Sequence, residues 1–417
     1  MSHKQYLPHS KEEGNAPRTG RLDLLSSNRT HRPTPRWSAR RRRDAWLLLG
    51  VLLFGIATIF TLSSWGTLLG KRANVTQPGT SSAPAAQEEP STPPVSATTD
   101  KFREYLLPQT DSQVMRLTVD YSGRVWFGEM GRNYLAVFDP RTQTFQQMTP
   151  PHGRFGMMGI QVASDDTIWF AEQYANYIGH YFPRTGRFQL YPLPVYTVPD
   201  PSNAGKTLTL PSAPNDLALD AHDDVWFTEF NADRLGRLDP RTGHMQQYPL
   251  TAKLSVEKLA PYGVAVDPEG SVWFTESSND HIGRLDPSTG HIRFFAPPGP
   301  LIAPMEIASD AHGIIWTTSF SSGLLLRLDP LTRAFTRYEV SPTGKETGGL
   351  HGLVVSPAGD VWVTVLAENM LARLDVATNR FSYYPIPTTD GEPVAFAMGA
   401  NHTLWFSEKD KLGMLRP

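Results

Sequence analysis

Residues 260–276 read Ala-Pro-Tyr-Gly-Val-Ala-Val-Asp-Pro-Glu-Gly-Ser-Val-Trp-Phe-Thr-Glu, and residues 281–295 read His-Ile-Gly-Arg-Leu-Asp-Pro-Ser-Thr-Gly-His-Ile-Arg-Phe-Phe. Short β-branched and aromatic runs alternate with Asp, Pro and Gly, which predicts four strands over 263–267, 272–276, 282–285 and 291–295. The Asp-Pro-x-Thr-Gly element, repeated at Asp239 to Gly243, is a turn between the third and fourth strands. Proline presets its first dihedral and glycine takes a positive one.

The same text recurs along the chain. Seven tryptophans, Trp126, Trp169, Trp226, Trp273, Trp316, Trp362 and Trp405, stand 43, 57, 47, 43, 46 and 43 residues apart. A period in the forties built from four short strands predicts an all-β fold, a seven-bladed β-propeller of four-stranded blades. The last unit, Val394 to Leu415, stops after its third strand. Its missing outer strand reads elsewhere as Phe-x-x-Tyr-x-Leu-Pro, and that text stands alone before the first unit, from Phe102 to Pro108. The N-terminal strand is therefore expected to complete the C-terminal blade and leave no open sheet edge.

The 417 residues are 40% hydrophobic and 19% charged, which supports a large core. The absence of cysteine excludes disulfides, thiolate metal sites and thiol nucleophiles. The net charge of −2 conceals an asymmetry: residues 1–44 hold 11 Lys and Arg against 4 Asp and Glu, or +7, which leaves −9 on the remainder. That remainder carries no basic footprint for nucleic acid. Residues 45–70 contain no charge and are long enough to cross a bilayer. They exceed the apolar core of a cleaved signal peptide. Arg36 and Arg40 to Arg43 precede them, which orients the N-terminus to the cytoplasm. The chain thus divides into a basic disordered cytoplasmic tail (1–44), a transmembrane signal anchor (45–70), a Ser/Thr/Pro/Ala-rich stalk (71–100) and an extracytoplasmic propeller (101–417), expected to be monomeric.

Antiparallel strand order brings the start of each inner strand and the end of each Trp strand to one face, the upper face. Three residues past each Trp stand Glu129, Glu172, Glu229, Glu276, Ser319, Val365 and Glu408. A residue repeated in most blades is structural first, so function is sought in departures from the repeat. The inner-strand mouths carry Met115, Met158, Asn215, Tyr262, Met305, His351 and Val394. Two residues earlier stand Gln113, Gly156, Ala213, Ala260, Ala303, Gly349 and Glu392. His351 and Glu392 are unique in their columns, and Glu392 shares a blade with Glu408. Two carboxylates beside an imidazole suit a hard divalent cation completed by water, or a coupled acid–base pair. One residue deeper, Arg116, Asp216 and Glu306 stand where other blades have Gly or Ala. They form either a polar ligand-recognition set, with Tyr262 and Asn215, or a charge network holding the ring. The insertion Val195 to Leu210 is expected on the upper face, as a lid, a specificity loop or a plain surface loop.

The strings Pro-x-Gly-(Ile/Val)-Ala, Val-Trp-Phe-Thr-Glu and Ile-Gly-Arg-(Leu/Phe)-Asp-Pro resemble the virginiamycin B lyase (streptogramin B lyase) family over residues 102–417. Gluconolactonase-like and NHL-type propellers carry related strings. The resemblance implies a seven-bladed propeller that opens a cyclic depsipeptide at its ester by elimination, with Mg²⁺ as cofactor and the ligand held in the upper-face funnel. It assigns substrate contact to His351 and metal binding to Glu392 and Glu408. The position of the family's general base is Val394, which cannot take a proton. The alternatives are therefore an active lyase-like enzyme, a binding or sensor ectodomain that has lost its base, and a gluconolactonase-like hydrolase.

Overall fold

The computed structural model describes residues 95–98 and 101–417, apart from 152–155, 201, 204, 252–258, 300–302, 343–347, 400 and 401. The predicted tail and anchor lie outside the described residues. Among those described, no helix is long and apolar enough to cross a membrane.

Six four-stranded antiparallel blades follow the predicted order, with inner strands Val114–Val119, Met157–Val162, Pro214–Leu219, Pro261–Val266, Pro304–Ser309 and Leu350–Val355. The seventh inner strand is Phe396–Met398. Each inner strand touches those of both neighbouring blades, and the seventh touches the first, so the ring closes. Phe102–Leu106 completes the last blade, running antiparallel to Lys411–Leu415 with Phe102 opposite Leu415 and Leu106 opposite Lys411. Phe102, Tyr105 and Leu107 are buried there. One feature was not expected. Val95–Thr98, read as part of the stalk, pairs with Phe102–Leu106 as a fifth strand.

The repeated residues have repeated jobs. The indoles of Trp126, Trp226 and Trp273 donate to Asp120, Asp220 and Asp267 at 2.8, 3.0 and 2.8 Å, closing each inner hairpin. The Phe after the Trp lies across a glycine of the third strand: a Cβ on Gly283 would meet Phe274 at 2.0 Å, and one on Gly236 would meet Phe227 at 2.0 Å. Gly283→Ala is therefore expected to destabilise the protein by about 1–3 kcal/mol in a denaturant titration, because a ring with no room must move.

The threonine two residues past the Trp staples neighbouring blades in the third to sixth units. Every described inner strand but the last carries a register shift near its mouth, as between Pro261 and Val264. In the third to sixth blades the threonine hydroxyl fills that gap. Thr275 Oγ1 accepts from Gly263 N at 3.0 Å and donates to Met305 O of the next blade at 2.7 Å. Thr228 and Thr318 do the same toward Tyr262 O and His351 O. Each such hydroxyl satisfies one donor and one acceptor that the bulge leaves exposed.

Candidate functional site

Two separate clusters emerge from the residues singled out by the sequence. The first lies at the propeller axis. Arg116 Nε stands 2.9 Å from Asp216 Oδ1, and its Nη2 donates to Glu306 Oε1 at 2.7 Å. Its guanidinium lies 5.1 Å over the Tyr262 ring. Tyr262 Oη reaches His351 Nε2 at 3.0 Å, and His351 Nδ1 reaches Val394 O at 3.2 Å. Asn215 accepts from Gln173 and donates to Tyr262 O at 3.0 Å. The first, third, fourth, fifth and sixth blades thus meet through side chains, and Asp216 Oδ2 also accepts from Val264 N at 3.1 Å.

The Val394 carbonyl only accepts, so His351 Nδ1 carries a hydrogen. Tyr262 Oη can donate or accept, and in the neutral ring Nε2 takes the tyrosine hydrogen, so both nitrogens are engaged. Burial, and then the nearby Arg116 charge, push its pKa down to about 3. Sequence reasoning set His351 beside Glu392 and Glu408 on the rim; the structure buries it at the axis, 1% exposed. Burial pushes Glu306 up to about 7, against the pull of Arg116.

The two shifts have opposite consequences. His351, depressed from 6.5, contributes stability that is complete above the unfolded value and lost as pH falls toward 3. Glu306, raised from 4.5, contributes stability present below that value and lost as pH rises through about 7. His351→Gln removes the first limb only. The wild type is expected to lose about 2 kcal/mol relative to this variant between roughly pH 6.5 and 5, read from urea midpoints at each pH. Parallel pH profiles would show that the imidazole takes up its proton without cost.

The second cluster is at the last blade's upper end. The backbone position of Glu392 is left-handed in every blade: φ is 51° at Gln113, 123° at Gly156, 55° at Ala213, 52° at Ala260, 43° at Ala303, 94° at Gly349 and 50° at Glu392. The column is a fixed bend, and only the last blade places a carboxylate on it. Glu392 is exposed. The loop before it is pinned, since Asn369 Oδ1 accepts from Gly391 N at 2.8 Å and Asn369 Nδ2 donates to Thr388 O at 2.7 Å.

Glu408 lies behind that loop, 3% exposed, and a Cβ on Gly391 would meet its Oε2 at 2.9 Å. Its carboxylate lies beside Glu104, Lys411 and Thr388. Burial, and then the charge of Glu104, push its pKa up to about 8. Among the described residues no three His, Asp or Glu side chains are grouped to hold a metal ion. Glu392, exposed on the bend, and Glu408, buried behind the loop, are the two carboxylates at this blade's upper end. Val394, at the family's base position, is half-buried and offers only its carbonyl, to His351.

The insertion forms a two-stranded hairpin, Val195–Pro199 with Thr207–Pro211. Tyr196 Oη donates to Gln247 at 2.8 Å, and Arg234 lies 4.4 Å over the Tyr196 ring. These contacts anchor the hairpin to the third and outer strands of the third blade. The staple role of the threonines and the shared left-handed bend were missed from sequence. The Ala and Gly that fill the bend column in five blades were the available signal for the bend.

No family model and no curated protein matches the chain. Solved structures do. Virginiamycin B lyase from Staphylococcus aureus is 26% identical, with a TM-score of 0.65, covering 76% of this chain and 99% of its own. A streptogramin B lyase structure gives 26% identity and a TM-score of 0.65 over 76% and 97% of the two chains. A catalytically inactive variant of the Staphylococcus aureus enzyme with quinupristin is 27% identical, with a TM-score of 0.64, over 76% and 99%. The shared repeat, the closing strand and these likenesses agree: the chain is a seven-bladed β-propeller that resembles the virginiamycin B lyases.

Proposed function

We propose that the protein is a membrane-anchored, extracytoplasmic propeller that binds a cyclic depsipeptide or another lactone-bearing ligand on its upper face, with the ring-opening chemistry of the lyases suppressed. The observation that carries this reading is the last blade. It keeps both acidic positions, Glu392 and Glu408, and replaces the base with Val394. Glu392 and Glu408 would hold Mg²⁺, which supplies polarisation of a carbonyl oxygen. Glu392 offers an exposed carboxylate on a fixed bend, and Glu408 a buried one beside Glu104 and Lys411. His351 cannot replace the missing base, because both ring nitrogens are engaged and the ring is buried.

The loss of a positioned base typically costs roughly 10²–10⁴ in rate. The anchor reading rests on the uncharged run 45–70 and the arginines before it. The test is to incubate the full-length protein with a streptogramin B and follow both ligand binding and ester loss, with and without Mg²⁺. Mg²⁺-dependent binding with ester loss at least about 10²-fold below an authentic lyase is the expected result. Rapid ring opening would assign an active lyase instead. Failure of Mg²⁺ to raise the melting temperature, in wild type and Glu408→Gln alike, would remove the metal.

A further inference from the structure

The ribbon inserted between the second and third blades pairs only with itself. Among the described residues no third strand joins Val195–Pro199 and Thr207–Pro211. The first strand is the one held by the body. Just before it, Asn176 Nδ2 donates to the carbonyls of Leu193 at 2.9 Å and Pro194 at 3.2 Å. Within it, Tyr196 donates to Gln247 and lies under Arg234. Thr207–Pro211 makes no such contact with the blades among the described residues.

The second strand therefore carries the open edge. Asp200 N donates to Lys206 O at 2.9 Å, so these two residues form a hydrogen-bonded pair. Bonded and non-bonded pairs then alternate along an antiparallel ribbon. The amides and carbonyls of Leu208 and Leu210 point to the first strand. Those of Thr207 and Thr209, with the Pro211 carbonyl, point away from it, and both threonines are exposed. The strands read Val-Tyr-Thr-Val-Pro and Thr-Leu-Thr-Leu-Pro, with no charge to guard the edge.

We propose that this edge is a self-association surface. The second strand of another copy of the chain docks on it antiparallel, about a twofold axis through Thr209. Charge favours a second copy as the occupant. A twofold contact sets identical edges against each other, so any charge would meet its like, and here there is none. Hydrogen-bond register favours it too. Each Thr209 amide meets the carbonyl of its counterpart, and each Thr207 amide meets a Pro211 carbonyl. The missing proline N–H leaves only the Thr207 carbonyls without a donor. The two ribbons become one four-stranded sheet.

The contact is small, so covalent trapping is the suitable readout. The chain has no cysteine, and a single introduced thiol works without background. In the full-length protein, Thr209→Cys is expected to give a disulfide-linked dimer under mild oxidation. The Cα atoms of such a pair lie about 5.5 Å apart, within disulfide range. Thr197→Cys is equally exposed, but on the opposite edge. Three strand spacings, about 14 Å, would separate it from its counterpart, and it should crosslink at least about tenfold more slowly. Adding Thr207→Pro to Thr209→Cys removes an outward amide and no bond within the ribbon. It is expected to cut crosslinking about tenfold and to leave the melting temperature within about 1 °C. If Thr207→Pro melts lower, the comparison with Thr197→Cys decides by itself. A monomeric Thr209→Cys, or a Thr197→Cys that crosslinks as fast, would overturn the proposal. So would crosslinking that Thr207→Pro leaves unchanged.

Discussion

Arg116→Met is expected to destabilise the protein by about 3–5 kcal/mol, the largest loss from any single axial substitution. The guanidinium is the only cation in contact with Asp216 and Glu306 among the described residues of the axial cluster, and all three side chains are nearly buried. Its removal leaves two carboxylates facing each other out of water. One of them must then take a proton or draw the ring apart. Asp216 and Glu306 come from the third and fifth blades, so the strain is spread over the whole ring. Chemical denaturation measures the loss, and a control distinguishes charge from shape. Adding Asp216→Asn and Glu306→Gln to Arg116→Met removes the uncompensated charge and should recover most of the stability. A single variant within about 1 kcal/mol of wild type would mean that water enters the axis freely.

A chain that begins at Pro108 is expected to lose cooperative unfolding altogether, whereas one that begins at Val95 keeps it. The shorter chain lacks the whole partner of Lys411–Leu415 and the buried side chains of Phe102, Tyr105 and Leu107. Tyr105 packs on Phe138 of the first blade, with ring centroids 4.6 Å apart, so the strand also joins the first blade to the last. Truncating one buried aromatic side chain costs about 3–5 kcal/mol, and a typical domain has about 5–15 kcal/mol in total. The exposed strand edge would in addition recruit other chains. Calorimetry and light scattering on the two truncations decide the matter. A sharp transition from the shorter chain would mean that six blades and a three-stranded seventh suffice.

The blades, their order and the closing strand were legible because each is written as text: tryptophan spacing, turn tetrads and an outer-strand phrase displaced to the N-terminus. The unusual residues of the inner strands were legible as exceptions to that text. Their placement was not. A two-residue periodicity says that His351 lies on the opposite side of its strand from its neighbours, but a bulge at the mouth of the strand shifts the register. There the Thr318 hydroxyl of the preceding blade donates to the His351 carbonyl at 2.9 Å. Asp216 and Glu306 lie 100 and 190 residues beyond Arg116 along the chain, and only ring closure brings them together. In this triad Arg116 pairs with both Asp216 and Glu306.

The extra pairing of Val95–Thr98 bears on how the molecule would answer a pull. If the uncharged run 45–70 is embedded in lipid, any tug transmitted through the tether reaches these four residues before it reaches Phe102–Leu106. A four-residue ribbon at a margin peels one rung at a time and re-forms readily, so it works as a sacrificial fuse. In that case movement of the preceding residues would be absorbed there, and the seam of the ring would be spared.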